Sequence, residues 1–142
     1  HIRRGDVTFS VQKHRYRYLP NSHYINLIAR YQHNNSRVII LSESESDESF
    51  DVFRGAGYEV WLDTSVIEAW SLILTSQVFI MSRSSFSRVP AIFCDGIVAY
   101  TKFWSPPLPE WHVYDHTDPR ATPLYLQPNG RLGKTQYFND NI

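Results

Sequence analysis

Apolar positions along the chain fall into short runs separated by polar and turn-forming stretches. Arg37-Val38-Ile39-Ile40-Leu41 is continuous rather than alternating, which is how a strand reads when a parallel sheet is covered on both faces. Tyr58 to Leu62, Val78 to Met81 and Ile97 to Tyr100 are further runs of strand length. Between these runs the period changes. Asn21 or Ser22 can cap a helix that places Tyr24, Ile25, Leu27, Ile28 and Tyr31 along one side and stops near His33-Asn34-Asn35. Ser46 or Asp47 caps a short helix with Phe50 and Phe53 on its apolar face, closed by Gly55. Val66 to Leu74 is an apolar helix, and another starts near Ser84, shortened or kinked by Pro90. Val7 to Pro20 is aromatic and basic without a sustained period and reads as a long loop.

Strands alternating with helices through short connections predict an α/β fold, a Rossmann-like parallel sheet with helices on both faces and right-handed crossovers. In such a sheet a ligand lies beyond the carboxyl ends of the strands. His1 to Asp6, Ser42 to Asp47 and Ser82 to Ser87 all fall there. The acids of Ser42 to Glu48 stand where a strand gives way to a helix, whose dipole favours negative charge. After Tyr100, six prolines (Pro106, Pro107, Pro109, Pro119, Pro123 and Pro128) break up regular elements. The expected organisation is one domain over residues 1–105 with a Pro-rich irregular tail, 106–142, packed on it.

Charge and cysteine content narrow the function. The 14 basic and 14 acidic side chains cancel, so no bulk field attracts a nucleic-acid backbone or an anionic membrane, and any anion site must be local. The lone Cys94 makes no internal disulfide, and no apolar run reaches the length of a membrane span. At 142 residues the chain can bury one core but is short for a two-domain enzyme. It opens mid-motif at His1, which predicts a fragment whose N-terminal part, with any membrane anchor, lies upstream.

Two stretches carry candidate chemistry. In His1-Ile2-Arg3-Arg4-Gly5-Asp6 the adjacent guanidiniums of an extended segment point to opposite faces, so one can reach a cleft while the other braces the loop through a carboxylate such as Asp6. A planar fork of donors suits phosphate oxygens. Its structural alternative is a basic strand end on a solvated edge, and Arg4-Gly5-Asp6 also matches a short adhesion tripeptide. Ser82-Arg83-Ser84-Ser85-Phe86-Ser87 follows a buried strand and opens a helix, bringing hydroxyls and free backbone N–H groups to a helix N-terminus that can hold phosphate without a metal. As plain structure, the same serines are helix caps. No Asp-x-Asp metal motif is present and the histidines show no ligand spacing.

His-Ile-Arg-Arg-Gly-Asp resembles the first peptide motif of the GDP-fucose-dependent fucosyltransferases, the α1,2-, α1,6- and protein O-fucosyltransferase superfamily. Ile40-Leu41-Ser42-Glu43-Ser44 is similar to its second motif and Phe79 to Ser87 to its third, in the same order, over roughly His1 to Trp111. The resemblance implies the C-terminal, nucleotide-sugar half of a two-domain GT-B glycosyltransferase, transferring fucose from GDP-fucose to a glycan or protein acceptor without a metal or other cofactor. It implies that His1 touches the guanine or ribose, that Arg3 holds the β-phosphate and that Arg4 supports the loop through acids such as Asp6. Ser84, Ser85 and Ser87 would complete the phosphate cradle, and Glu68 is the nearest match to the acid that accepts from the guanine edge. In the α1,6 branch a Lys and a Glu, the proposed base, follow the arginines. Here Val7 to Val11 carry no charge, which leaves the base unassigned.

The rival expectation is a non-catalytic nucleotide-sugar- or glycan-binding module of the same fold. Partners other than the sugar nucleotide and the acceptor, nucleic acid included, are not expected. Asn34-Asn35-Ser36 is a glycosylation sequon. The resemblance implies the Golgi lumen for a eukaryotic source and the cytoplasm for a bacterial one.

Overall fold

The structure, a computed structural model, describes residues 1–10, 12–115, 124–126 and 132–134. Four short parallel strands follow the apolar runs: β1 (Ile39–Ser42), β2 (Glu59–Leu62), β3 (Val78–Ile80) and β4 (Ile97–Thr101). A fifth, β5 (His112–Tyr114), pairs parallel to β4, so the segment expected to be an irregular tail contributes an edge strand. β6 (Leu124–Leu126) and β7 (Leu132–Lys134) form a separate antiparallel pair. Pro119, Pro123 and Pro128 lie outside the described residues.

β1 pairs with β2 in one sheet, and β3, β4 and β5 form another. The opening segment joins them. The Ile2 N–H donates to the Leu41 carbonyl (2.8 Å), the Ser42 hydroxyl donates to the Ile2 carbonyl (2.8 Å), and the His1 nitrogen donates to the Ile80 carbonyl (3.0 Å). The resulting spatial order is β2, β1, the His1–Arg3 segment, β3, β4, β5. This order is compatible with a Rossmann-like sheet, with the chain reversing direction of growth between the opening segment and β3.

Helices cover both faces. α1 (Asn21–Tyr31) and α2 (Asp51–Gly55) pack Tyr24, Ile28 and Phe53 with Ile2, Leu19, Ile40 and Phe50 on one side. α3 (Val66–Leu74) and α4 (Ser85–Ile92) bring Ala69, Ile73 and Ala91 against Leu41, Phe79, Met81, Val98 and Tyr100 on the other. Neighbouring residues of one strand, such as Ile40 and Leu41, therefore serve opposite cores, which is why the runs read as continuously apolar. Each fully buried side chain of this kind, Phe53 for example, contributes about 1.5–3 kcal/mol.

Local signals were overridden in three places. A 3-10 helix, η1 (Gln12–Arg17), interrupts the expected loop between Val7 and Pro20. α1 is preceded by Pro20 with no side-chain cap, because the Asn21 side chain is committed to the Arg4 guanidinium and the Ser49 carbonyl. α2 begins at Asp51 after Phe50, so neither Ser46 nor Asp47 caps it. Helix α4 tolerates Pro90 near its end, closing within two residues.

A cavity of about 500 Å³ lies between β1 and β3 on the amino-terminal side of His1, lined by Tyr24, Ile28, Ile39, Leu72 and Val78 among others. Of the candidate site residues it touches His1 alone. Among the described residues, no helix is long and apolar enough to cross a membrane, and no group of three or more His, Cys, Asp or Glu could hold a metal ion.

Candidate functional site

Three loops leave the carboxyl ends of adjacent strands and meet beside the reversal point: Arg3 to Asp6, Glu43 to Glu48 after β1, and Met81 to Ser84 after β3. The first turns sharply because Gly5 sits at φ 67°, in the left-handed region that favours glycine. Its N–H donates to the Glu45 carbonyl (2.9 Å), which binds the first loop to the second.

The two arginines diverge as an extended segment requires. Arg3 keeps its side chain 27% exposed, with one terminal nitrogen on Glu43 and the other on Asp6. A guanidinium has five N–H donors, so two carboxylate contacts orient the fork and leave donors for a ligand. Arg4 is completely buried. It donates to the Arg3 carbonyl (2.9 Å), Asn21 Oδ1 (2.8 Å) and Glu48 (3.2 Å), and lies over the Tyr18 ring at 4.9 Å. Burial and the bond to Glu48 hold the Tyr18 phenol well above its ordinary pKa. The brace expected of Arg4 thus runs through Glu48, while Asp6 serves Arg3. Full burial also removes Arg4 from any adhesion tripeptide, which would need it at the surface.

Glu43 connects the two arginines, accepting from Arg3 through Oε1 and from the Arg4 backbone N–H through Oε2 (3.0 Å). Glu48 also accepts from the Asn21 N–H (2.8 Å). Both acids are expected at the N-terminus of the helix that follows them; instead Glu43 pairs with Arg3, and Glu48 serves Arg4 together with the first N–H of α1. The surplus of acids directly after a strand was the available sign of such pairing.

On the third loop, Arg83 is fully buried, donating to the Lys102 carbonyl (2.9 Å) and the Tyr16 carbonyl (3.1 Å). Of the three arginines at these strand ends, Arg3 alone is exposed to a ligand. Ser84 caps α4, its hydroxyl accepting from the Phe86 N–H (3.2 Å), and Ser85 is exposed in the first turn. Ser87, expected in the phosphate cradle, is instead fully buried beneath His1. His1 Nδ1 contacts the hydroxyls of Ser87 (2.6 Å) and Ser82 (2.8 Å), which also bond each other (2.7 Å). This triangle fixes the imidazole by Nδ1 and leaves Nε2 for other contacts. The ring lies 5.0 Å from Phe86, which in turn lies 5.9 Å from Trp70. Sequence reasoning missed Ser82 as a support of His1, since only the crossing of two distant strand ends brings the pair together.

Glu68 stands apart. Its carboxylate closes a capping box at the start of α3, accepting from the Ser65 hydroxyl (2.7 Å) and N–H (3.1 Å), and those bonds hold its pKa below the ordinary carboxylate value. The site as described is therefore His1 over a serine pair, the Arg3 fork between two carboxylates, and the Ser84–Ser85 turn of α4.

Compared with known proteins, the chain matches no family model, no curated protein and no solved structure.

Proposed function

We propose that this chain carries the nucleotide-sugar site of a glycosyltransferase. Within that class we infer the GDP-fucose-dependent, fucosyltransferase-like type, the sheet being the nucleotide-binding half of a GT-B enzyme. The observation that carries the class is the exposure of Arg3 alone among three arginines at the strand ends, two residues beyond His1, which itself contacts Ser87 of α4. The fucosyl assignment comes from the resemblance of the three motifs.

Cleaving a sugar–diphosphate bond places negative charge on the leaving nucleotide. Donors fixed before the reaction stabilise that charge more in the transition state than in the ground state. The Arg3 fork, held by Glu43 and Asp6, and the N–H groups of the first turn of α4 other than those of Ser84 and Phe86, which the Ser82 carbonyl and the Ser84 hydroxyl take, supply such donors. His1, fixed by Ser82 and Ser87, has Nε2 for the nucleoside. The diphosphate charge is met by protein donors in this reading, and no resident metal is invoked.

The test is a protein-observed NMR titration of the chain with GDP, GDP-fucose and UDP. Guanine nucleotides should shift the amides of Arg3, Ser84 and Ser85, and UDP should shift them less. No response to GDP up to millimolar concentration would sink the proposal. A non-catalytic module is the second reading, favoured by the uncharged Val7-Thr8-Phe9 that follows Asp6. Fucose transfer to any acceptor would exclude it.

A further inference from the structure

Arg15 and Arg17 have no carboxylate partner among the described residues, in contrast to Arg3 and Arg4. Both lie on η1, and both are held by aromatic rings. The Arg15 guanidinium is exposed and sits 4.0 Å from the centre of the Phe9 ring. Arg17 lies 5.4 Å from the Tyr16 ring and donates Nε–H to the Tyr16 hydroxyl (2.9 Å). A guanidinium held over a ring keeps its terminal N–H donors for an anion, so both side chains are oriented before a ligand arrives.

η1 is tied to the candidate site at three points. The Tyr16 carbonyl accepts from buried Arg83 (3.1 Å), and Tyr18, just beyond η1, lies under Arg4. His14 Nε2 is 4.0 Å from Asp6, whose other oxygen holds Arg3. Of the acids on the loops around the site, Asp6, Glu43 and Glu48 are engaged by the arginines and Asp47 by Ser10, while Glu45 is exposed on the loop after β1. Two cations with no carboxylate partner among the described residues therefore stand on a segment joined to the site, in a chain of zero net charge.

We propose that η1 is the acceptor-side rim and that it binds an acidic saccharide, Arg15 and Arg17 receiving its carboxylate or sulfate groups. The choice of a saccharide over another polyanion rests on the glycosyltransferase reading; the anion preference rests on the rim itself.

Calorimetry on the chain with a galacturonate hexasaccharide, its methyl-esterified neutral form and a sulfated hexasaccharide tests the proposal. At low salt at least one acidic form should bind tenfold or more tighter than the neutral one, and salt should erode the difference. The double variant Arg15→Gln, Arg17→Gln should bind the acidic form no better than the ester, with its GDP titration unchanged. Equal binding of acidic and neutral forms by the unsubstituted chain would overturn the proposal whether or not the variant folds. So would unchanged binding in the double variant, or equal affinity for a glutamate hexapeptide. Acidic-saccharide binding without any GDP response would sink the nucleotide reading and leave the rim standing. GDP binding without saccharide discrimination would do the reverse.

Discussion

Arg3 and Arg4 are the same residue type at consecutive positions, and their surroundings give them opposite work. Arg4 is sealed in the interior with Glu48 and Asn21, where loss of one partner strands the other. Arg4→Ala should destabilise the fold by roughly 3–5 kcal/mol, read from denaturant unfolding. Arg3 is half-open and braced from outside, so its replacement should spare the fold and damage the chemistry. Arg3→Lys keeps the charge and loses the fork. In a transfer-active form of the protein it should lower kcat/KM at least about a hundredfold, roughly 2.7 kcal/mol, with an unchanged unfolding midpoint. Wild-type turnover would make Arg3 a brace and end its assignment to phosphate. Gly5 makes the turn that presents both: at φ 67° a Cβ meets only Glu43 side-chain carbons at about 3.8 Å, so the cost of Gly5→Ala is conformational. It should be about 1–2 kcal/mol in thermal unfolding.

Among the elements, α3 shows how a local motif can settle a residue's role. Ser65 and Glu68 satisfy each other's backbone donors, and this capping box lies wholly within four consecutive residues. Ser65→Ala should cost about 1 kcal/mol of stability. The pH dependence has a definite sign. The Ser65 bonds lower the Glu68 carboxyl in the folded state from its ordinary 4.5, so their contribution is present above that value. It is lost as pH falls through the lowered folded-state pKa. Acid unfolding curves of Ser65→Ala and wild type should converge in that window; a constant gap would mean the cap acts without the carboxylate. The same motif could have been read in advance, from Ser65-Val66-Ile67-Glu68, and it would have argued against Glu68 as a nucleotide contact. α2 is the counter-example, where Ser46 and Asp47 have the right chemistry for a cap and the acids around them are drawn to Arg3, Arg4 and Ser10.

For the whole molecule, the deciding feature is the insertion of the opening segment between β1 and β3. Hydrogen bonds to Leu41 on one side and Ile80 on the other make one ordered array of two small sheets. They also place His1 and Arg3 beside loops that follow β1 and β3. The sequence by itself determined the alternation of strands and helices, the doubly covered character of the run at Arg37 to Leu41, and the three polar strand ends. Periodicity and turn chemistry are properties of a few consecutive residues, so they survive without a fold. The tertiary structure decided which arginine is buried, which acid holds it, and that β5 extends the sheet. It also drew Ser87 out of the expected cradle to hold His1. Arg3 and Glu43 are 40 residues apart, Arg4 and Glu48 are 44, and His1 and Ser87 are 86. Pairings at such separations depend on how the strands are ordered, and strand order comes from burying both faces of the sheet at once, which no local window of sequence encodes.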